Sequence, residues 1–280
     1  MAPEGRRSAV LEIIGSARRR LVLSLYRCDD RKVLEALGAA TRRGVRVEAL
    51  VTRRAGDRLN LRLLRILLEQ FGVLVWRYAD RRVKYHAKYI VADEETALVG
   101  SLNFTQRCFR KTSDFMVITR DADVVASLVD LFDADCRVPA GPLPRISSRL
   151  IVAPDHARAD VRRLLKDTRR SIKLIDPKLS DPSMLAMLEA KAASGVSVTV
   201  LDGRRVAGMR SHGKLLILDD AVAVVGSLAL SATNLDDRRE IAVIVHDEVA
   251  IRRLVQFFDQ AAGRETATVR RPPQPLESVA

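Results

Sequence analysis

A chain of 280 residues with 48% apolar and 30% charged residues is long enough to bury a sizeable core, as one large domain or two small ones. Its net charge of +13 favours anionic partners: nucleic acid, an anionic membrane surface or a phosphorylated substrate. The 4% aromatic content argues against a base-stacking single-strand binder, and the lack of any run of 18 apolar residues excludes a membrane span. Cys28, Cys108 and Cys136 are odd in number and scattered, which predicts reduced thiols and a cytoplasmic location. The first twenty residues hold no apolar core of signal-peptide type.

Taken in order, apolar spacing predicts a helix over 6–19 and a buried strand over 21–26. Asp29 or Asp30 caps a helix that stops at Gly44, followed by a strand over 45–51. A Leu-rich helix over 57–71 and a strand over 73–78 come next. Arg58, Arg62 and Arg65 line one face of that helix, which fits a wet outer face or, alternatively, a membrane-surface helix. Two apolar runs, YIVA and TALVG, read as a hairpin; DFMVIT is a strand and 121–135 a helix. Residues 138–149 carry three prolines and break all periodicity, as a linker does.

The plan then returns: helix 155–169, strand SIKLID, helix 181–194, Gly195, strand VSVTVLD, hairpin runs LLIL and AVAVVG, strand EIAVIV, and a final helix ending at 262. The fold expected is α/β, with two pseudo-twofold related halves, each a mixed β-sheet flanked by helices. The boundaries predicted are 1–138 for the first half, 139–149 for the linker, 150–263 for the second half and 264–280 for a disordered tail.

The repeat carries chemistry. His86, Lys88, Asp93, Gly100, Ser101 and Asn103 form the pattern H-x-K-x4-D-x6-G-S-x-N. It recurs 126 positions later as His212, Lys214, Asp219, Gly226 and Ser227, with Ala229 in place of the final Asn. In His-x-Lys the period of a strand puts both side chains on one face. A neutral imidazole is a nucleophile and proton carrier, and a lysine beside it holds an anionic oxygen. Gly-Ser allows close backbone approach and supplies a hydroxyl, and Asn103 adds an amide, so the set is a donor-rich cradle for phosphate. Asp114 lies 28 positions after His86, and Glu240 lies 28 after His212. Each is read as the carboxylate that fixes the tautomer of the histidine in its own half. Neither copy has a second His or a Cys at ligand spacing, so no metal cage is predicted.

These paired motifs resemble those of the phospholipase D superfamily, and the repeat extends the resemblance over about residues 8–262. The resemblance implies a bilobed α/β fold with one active site between the halves, a phosphohistidine intermediate, and no metal or other cofactor. His86 and His212 would act as nucleophile and acid/base, with His86 favoured as nucleophile. Lys88 and Lys214 would bind phosphate oxygens, helped by Ser101, Asn103 and Ser227. Ala229 departs from the pattern and makes the cradle asymmetric.

Some members of the superfamily hydrolyse or exchange phospholipid head groups, and others cut DNA or RNA. Two copies in one chain lean toward lipid; the compact size and positive charge lean toward nucleic acid. The expected partner is therefore phospholipid at a membrane surface, met from the cytoplasmic side, or nucleic acid, and a monomer suffices to complete the site. Arg53, Arg54, Arg81, Arg82 and Lys84 before His86, and Arg204, Arg205 and Arg210 before His212, would form a basic mouth or an ordinary charged loop surface. A non-catalytic phosphate- or nucleic-acid-binding module is the third reading, invited by Ala229 and opposed by the retained His, Lys and Asp of both copies.

Overall fold

The computed structural model describes residues 3–52, 64–66, 68–78, 80, 82–137, 142–263 and 268–270. The first half opens with α1 (Pro3–Ser16), β1 (Arg20–Leu25), α2 (Arg31–Arg42), β2 (Arg46–Val51) and β3 (Leu74–Arg77). It continues through β4 (Lys84–Tyr85), β5 (Tyr89–Ala92), β6 (Thr96–Gly100), α3 (Gln106–Arg110), β7 (Thr112–Ser113), β8 (Met116–Thr119) and α4 (Ala122–Cys136). The second half runs β9 (Leu150–Ala153), α5 (Ala157–Asp167), β10 (Ser171–Ile175), α6 (Pro182–Ala193), β11 (Ser197–Leu201), β12 (Arg205–Val206) and β13 (Met209–Ser211). It ends with β14 (Lys214–Leu218), β15 (Val222–Gly226), α7 (Ala232–Asp236), β16 (Arg238–Val245), α8 (Glu248–Ala262) and β17 (Thr268–Arg270).

Local chemistry explains the repeat. Asp30 and Asp181 each cap a helix by accepting a backbone N–H, from Val33 and Met184 respectively. Gly44 and Gly195 close those helices at φ +85° and +90°, a conformation that costs glycine little. Each half then forms a parallel pair, β1–β2 or β10–β11, and lays a hairpin antiparallel to the first of them, β5–β6 or β14–β15. The sheet orders are β3-β2-β1-β5-β6-β8 and β17-β11-β10-β14-β15-β16-β4, with β9 also paired to β16. Both sheets are mixed and helix-flanked, so the fold is α/β as expected.

Three apolar clusters hold the layers. One joins α1 and α2 to a face of the first sheet, and another joins α5 and α6 to a face of the second. The third is shared: Tyr89, Val91 and Phe132 of the first half pack with Ile217, Val225 and Phe258 of the second. Each such fully buried side chain contributes about 1.5–3 kcal/mol of transfer free energy. Among the described residues no helix is long and apolar enough to cross a membrane.

Some expectations differ. Thr268–Arg270 is a strand antiparallel to β11, not part of a structureless tail, and residues 264–267 and 271–280 lie outside the described ones. The basic loop before His212 folds as the β12–β13 hairpin. Of the helix expected over 57–71, residues 64–66 and 68–70 are helical; 57–63, with Arg58 and Arg62, and residue 67 lie outside the described residues, as do Arg53, Arg54 and Arg81.

Candidate active site

Both histidines are held by backbone of the opposite half. β4 runs parallel to β16 with Tyr85 opposite Arg239, and the His86 N–H donates to the Arg239 carbonyl at 2.9 Å. The next residue on β16 is Glu240, whose Oε1 lies 2.8 Å from His86 Nδ1. By the same construction β13 runs parallel to β7 with Ser211 opposite Ser113, and the Gly213 N–H donates to the Ser113 carbonyl at 2.6 Å. The next residue after Ser113 is Asp114, whose Oδ1 lies 2.7 Å from His212 Nδ1.

The carboxylates are thus crossed. Asp114 was expected on His86 and Glu240 on His212, and the structure pairs each with the other histidine. The spacing of 28 is identical in both halves, so it is compatible with pairing within a half or across. The β4–β16 and β7–β13 ladders decide for the latter.

Glycine permits this close approach. A Cβ on Gly213 would lie 2.6 Å from the Phe115 ring and 2.8 Å from the Ser113 carbonyl. A Cβ on Gly226 would overlap the Ile241 carbonyl, on the strand that carries Glu240.

Burial sets the protonation states. Desolvation pushes His86 down to about 3, against the pull of Glu240 and with the help of Lys88, so the ring is neutral near pH 7. Burial acts to raise Glu240, but the imidazole and the Lys88 ammonium hold its carboxyl below the usual range. The ionised carboxylate then keeps the His86 proton on Nδ1, so that Nε2 carries the lone pair. Burial lowers His212 as well, with Asp114 opposing; its side chain is 28% exposed, against 9% for His86. Burial would raise Asp114, yet hydrogen bonds from His212, Thr112 and Ser101 hold it low.

Each lysine folds back on the histidine two residues before it. Lys88 Nζ lies 3.3 Å from His86 Nε2 and also donates to the His86 carbonyl. Burial, and the like charge of Lys214, bring Lys88 down to about 7. Lys214 Nζ donates to the His212 carbonyl at 2.7 Å.

Other predicted residues fall elsewhere. Ser101 and Ser227 are buried between strands. Ser101 Oγ donates to Asp114 at 2.7 Å and accepts from the Phe115 N–H, and Ser227 Oγ accepts from the Ile241 N–H. Both brace the carboxylate strands rather than face a substrate, because each hydroxyl is spent on its neighbours. The Asn103 Oδ1 is buried without a hydrogen-bond partner among the described residues, and its counterpart Ala229 is fully buried.

Asp93 and Asp219 were expected to be catalytic and are not at the site. Each sits at the far end of its strand, about 16 Å of extended chain beyond the lysine. Asp93 accepts the backbone N–H groups of Arg18, Arg19 and Arg20, and Asp219 those of Arg169, Arg170 and Ser171. They hold the turn into β1 and β10, at φ +55° and +54°, values that aspartate tolerates better than most residues. A motif read as one list of reactive groups does not reveal that its Asp points away.

Three residues were missed. Asn234 Nδ2 donates to Glu240 Oε1 at 2.6 Å, and Thr112 Oγ1 donates to Asp114 Oδ2. Tyr26 packs edge-on against His86 with centroids 4.4 Å apart, and Lys88 Nζ lies 5.3 Å from its ring centre. None of the three left a signal in the repeat: the position that matches Asn234 in the first half holds Cys108.

The comparisons bear on what this arrangement belongs to. Residues 10–136 match the family model described as "Cardiolipin synthase, PLD-like domain". The chain is 31% identical to cardiolipin synthase A of Pseudomonas aeruginosa over 175 residues, which is 60% of this chain and 33% of that protein. It therefore spans about a third of the length of that relative. Polyphosphate kinase from Porphyromonas gingivalis shares the fold at a TM-score of 0.72 and 22% identity, over 90% of this chain and 44% of its own. Phosphatidylserine synthase from Haemophilus influenzae shares it at 0.68 and 11% identity, over 95% of this chain and 86% of its own. The family model takes in the first motif, so residues 10–136 are similar to a PLD-like domain, and the fold that both halves build is shared with these two solved structures.

Proposed function

We propose that the protein is a phosphodiesterase that cleaves or transfers phospholipid head groups through a phosphohistidine, with the chemistry carried by its own side chains and no metal. The observation that carries this reading is the crossed pair: two histidines, each with Nδ1 on a buried carboxylate of the other half and each with its backbone carbonyl bonded by the lysine two residues on. The likeness to cardiolipin synthase A supports a lipid substrate over a nucleic acid.

In this reading His86 is the nucleophile, since burial keeps it neutral. Its Nε2 attacks phosphorus while the bond to the leaving oxygen breaks. His212, the more exposed ring, enters this step as the imidazolium, stabilised by Asp114, and gives that oxygen its Nε2 proton, which leaves the ring neutral with its remaining proton on Nδ1. His212 then takes a proton from water or an alcohol, which attacks phosphorus and frees His86 Nε2. Lys88 and Lys214 hold the non-bridging oxygens as charge develops. The protein works from the bilayer surface on the cytoplasmic side, and one chain suffices because both motifs lie in it.

One reaction tests this. Protein in excess EDTA is incubated with labelled anionic phospholipid vesicles and a labelled single-stranded oligonucleotide. Head-group release that disappears in His86→Ala, together with an acid-labile phosphoenzyme that accumulates in His212→Ala, is the expected result. Oligonucleotide cleavage with intact lipid would make the protein a nuclease, and full turnover by His86→Ala would overturn the mechanism.

A further inference from the structure

The two carboxylates are not held alike. Glu240 receives an amide N–H from Asn234, and the residue at the same interval in the first half is Cys108. Asp114 has no need of a donor from that position. Its Oδ1 already accepts from His212 and Ser101, and its Oδ2 accepts from Thr112. The Cys108 thiol therefore stands beside a satisfied carboxylate, buried at 5% exposure.

One ligand atom each from Cys108, Asp114 and His212 lies within 4.8 Å of the other two. A divalent ion bound at about 2.3 Å from sulfur and about 2.0 Å from nitrogen or oxygen would need only small side-chain adjustments to take all three. Cys108 is placed by α3, whose first turn is capped by Thr105, and Thr112 Oγ1 ties the Cys108 carbonyl to β7, the strand that Asp114 directly follows. The three donors are thus fixed by local backbone structure.

We infer that Cys108, Asp114 and His212 form an inhibitory site for a thiophilic divalent cation of the zinc or cadmium class. A thiolate, an imidazole and a carboxylate suit such ions and not magnesium or calcium, which take oxygen ligands. On binding, the Cys108 thiol gives its proton to solvent and the sulfur bonds the metal. His212 carries its proton on Nε2, and its Nδ1 lone pair bonds the metal in place of the hydrogen bond to Asp114. With Nδ1 on the metal and Nε2 protonated, His212 has no nitrogen left to accept a proton. The second half of the device has no thiol, since Asn234 occupies the matching position, so inhibition enters through His212 alone. Metal binding does not depend on the catalytic reading; only the inhibition does.

The test is a cadmium titration of the full chain, followed by the ultraviolet thiolate-to-cadmium charge-transfer band. The expected result is one equivalent bound with the band present in the parent protein, in Cys28→Ser and in Cys136→Ser. The band should be absent in Cys108→Asn, which copies the arrangement at Asn234, and in Cys108→Ser, which guards against misfolding of the first variant. In the vesicle assay zinc should inhibit the parent protein, EDTA should reverse the effect, and Cys108→Asn should need about ten-fold more zinc or more. A band retained in both Cys108 variants, or no band in the parent, overturns the site. Equal zinc sensitivity in parent and variant overturns the inhibition. A protein that turns over no phosphodiester yet shows the Cys108-dependent band keeps the site and loses the catalytic reading.

Discussion

Glu240 is a buried carboxylate whose charge keeps the His86 proton on Nδ1. Glutamine keeps the shape but can present its amide N–H to that nitrogen, which would favour the wrong tautomer. We expect Glu240→Gln to lower kcat by about 10²–10⁴, the scale seen when a triad carboxylate becomes an amide. Ring-nitrogen NMR distinguishes crossed from local pairing. Glu240→Gln should shift the His86 nitrogens and leave those of His212 in place; the reverse pattern would contradict the crossing. Lys88 gives a pH dependence. Its folded value of about 7 means that it is cationic below that pH and neutral above it, so its hold on a phosphate oxygen weakens as pH rises through about 7. The alkaline limb of kcat/KM should therefore begin near there and move upward in Lys88→Arg, because guanidinium stays charged. An unmoved limb would assign it to another group. At this scale the residues that the structure gathers at the candidate site were legible in the sequence, since His86, Lys88, His212 and Lys214 repeat in register. The partner of each histidine was not, because identical intervals carry no record of which strand lies beside which.

The elements explain why Asp93 and Asp219 belong to the motif without reaching the substrate. Each gathers three backbone N–H groups at the entry to β1 or β10, and so fixes the register of that strand against the one that begins beside the lysine. Asp93→Ala should cost about 1–2 kcal/mol in urea unfolding, the range for a lost capping side chain, while kcat of the folded fraction stays within about three-fold, a change worth under 1 kcal/mol. A loss of kcat by orders of magnitude with unchanged stability would restore it to the catalytic list. Gly226 acts on the other side of the hairpin. Its missing Cβ lets β15 lie against the Ile241 carbonyl, so Gly226→Ala must push β16 aside. We expect at least 1–3 kcal/mol of destabilisation, as for other overpacked sites, and a fall in kcat because Glu240 precedes Ile241. The long elements here were legible from their periodicity: α2, α4, α6 and the two hairpins lie within two residues of expectation. The two-residue strands β4 and β7 were not, since a pair of residues has no period, and those short strands are the ones that cross the carboxylates.

At the scale of the whole molecule the two halves exchange what each lacks. The first half carries His86 but its orienting carboxylate comes from β16; the second carries His212 but depends on Asp114 after β7. The shared apolar cluster, with Phe132 and Phe258 contributed from opposite halves, holds the exchange in place. A duplicated unit of this kind cannot retain half its activity when cut, because separation removes a partner from both histidines at once. Expressed separately, residues 1–138 and residues 150–280 should each give no head-group release. Co-expressed, they should reassemble through the shared core and recover turnover, and the recovered activity should vanish when Glu240→Gln is placed in the second fragment. If the first fragment alone cleaved substrate at a rate comparable to the intact chain, His86 would have its carboxylate within its own half, and the interlocked site would be wrong.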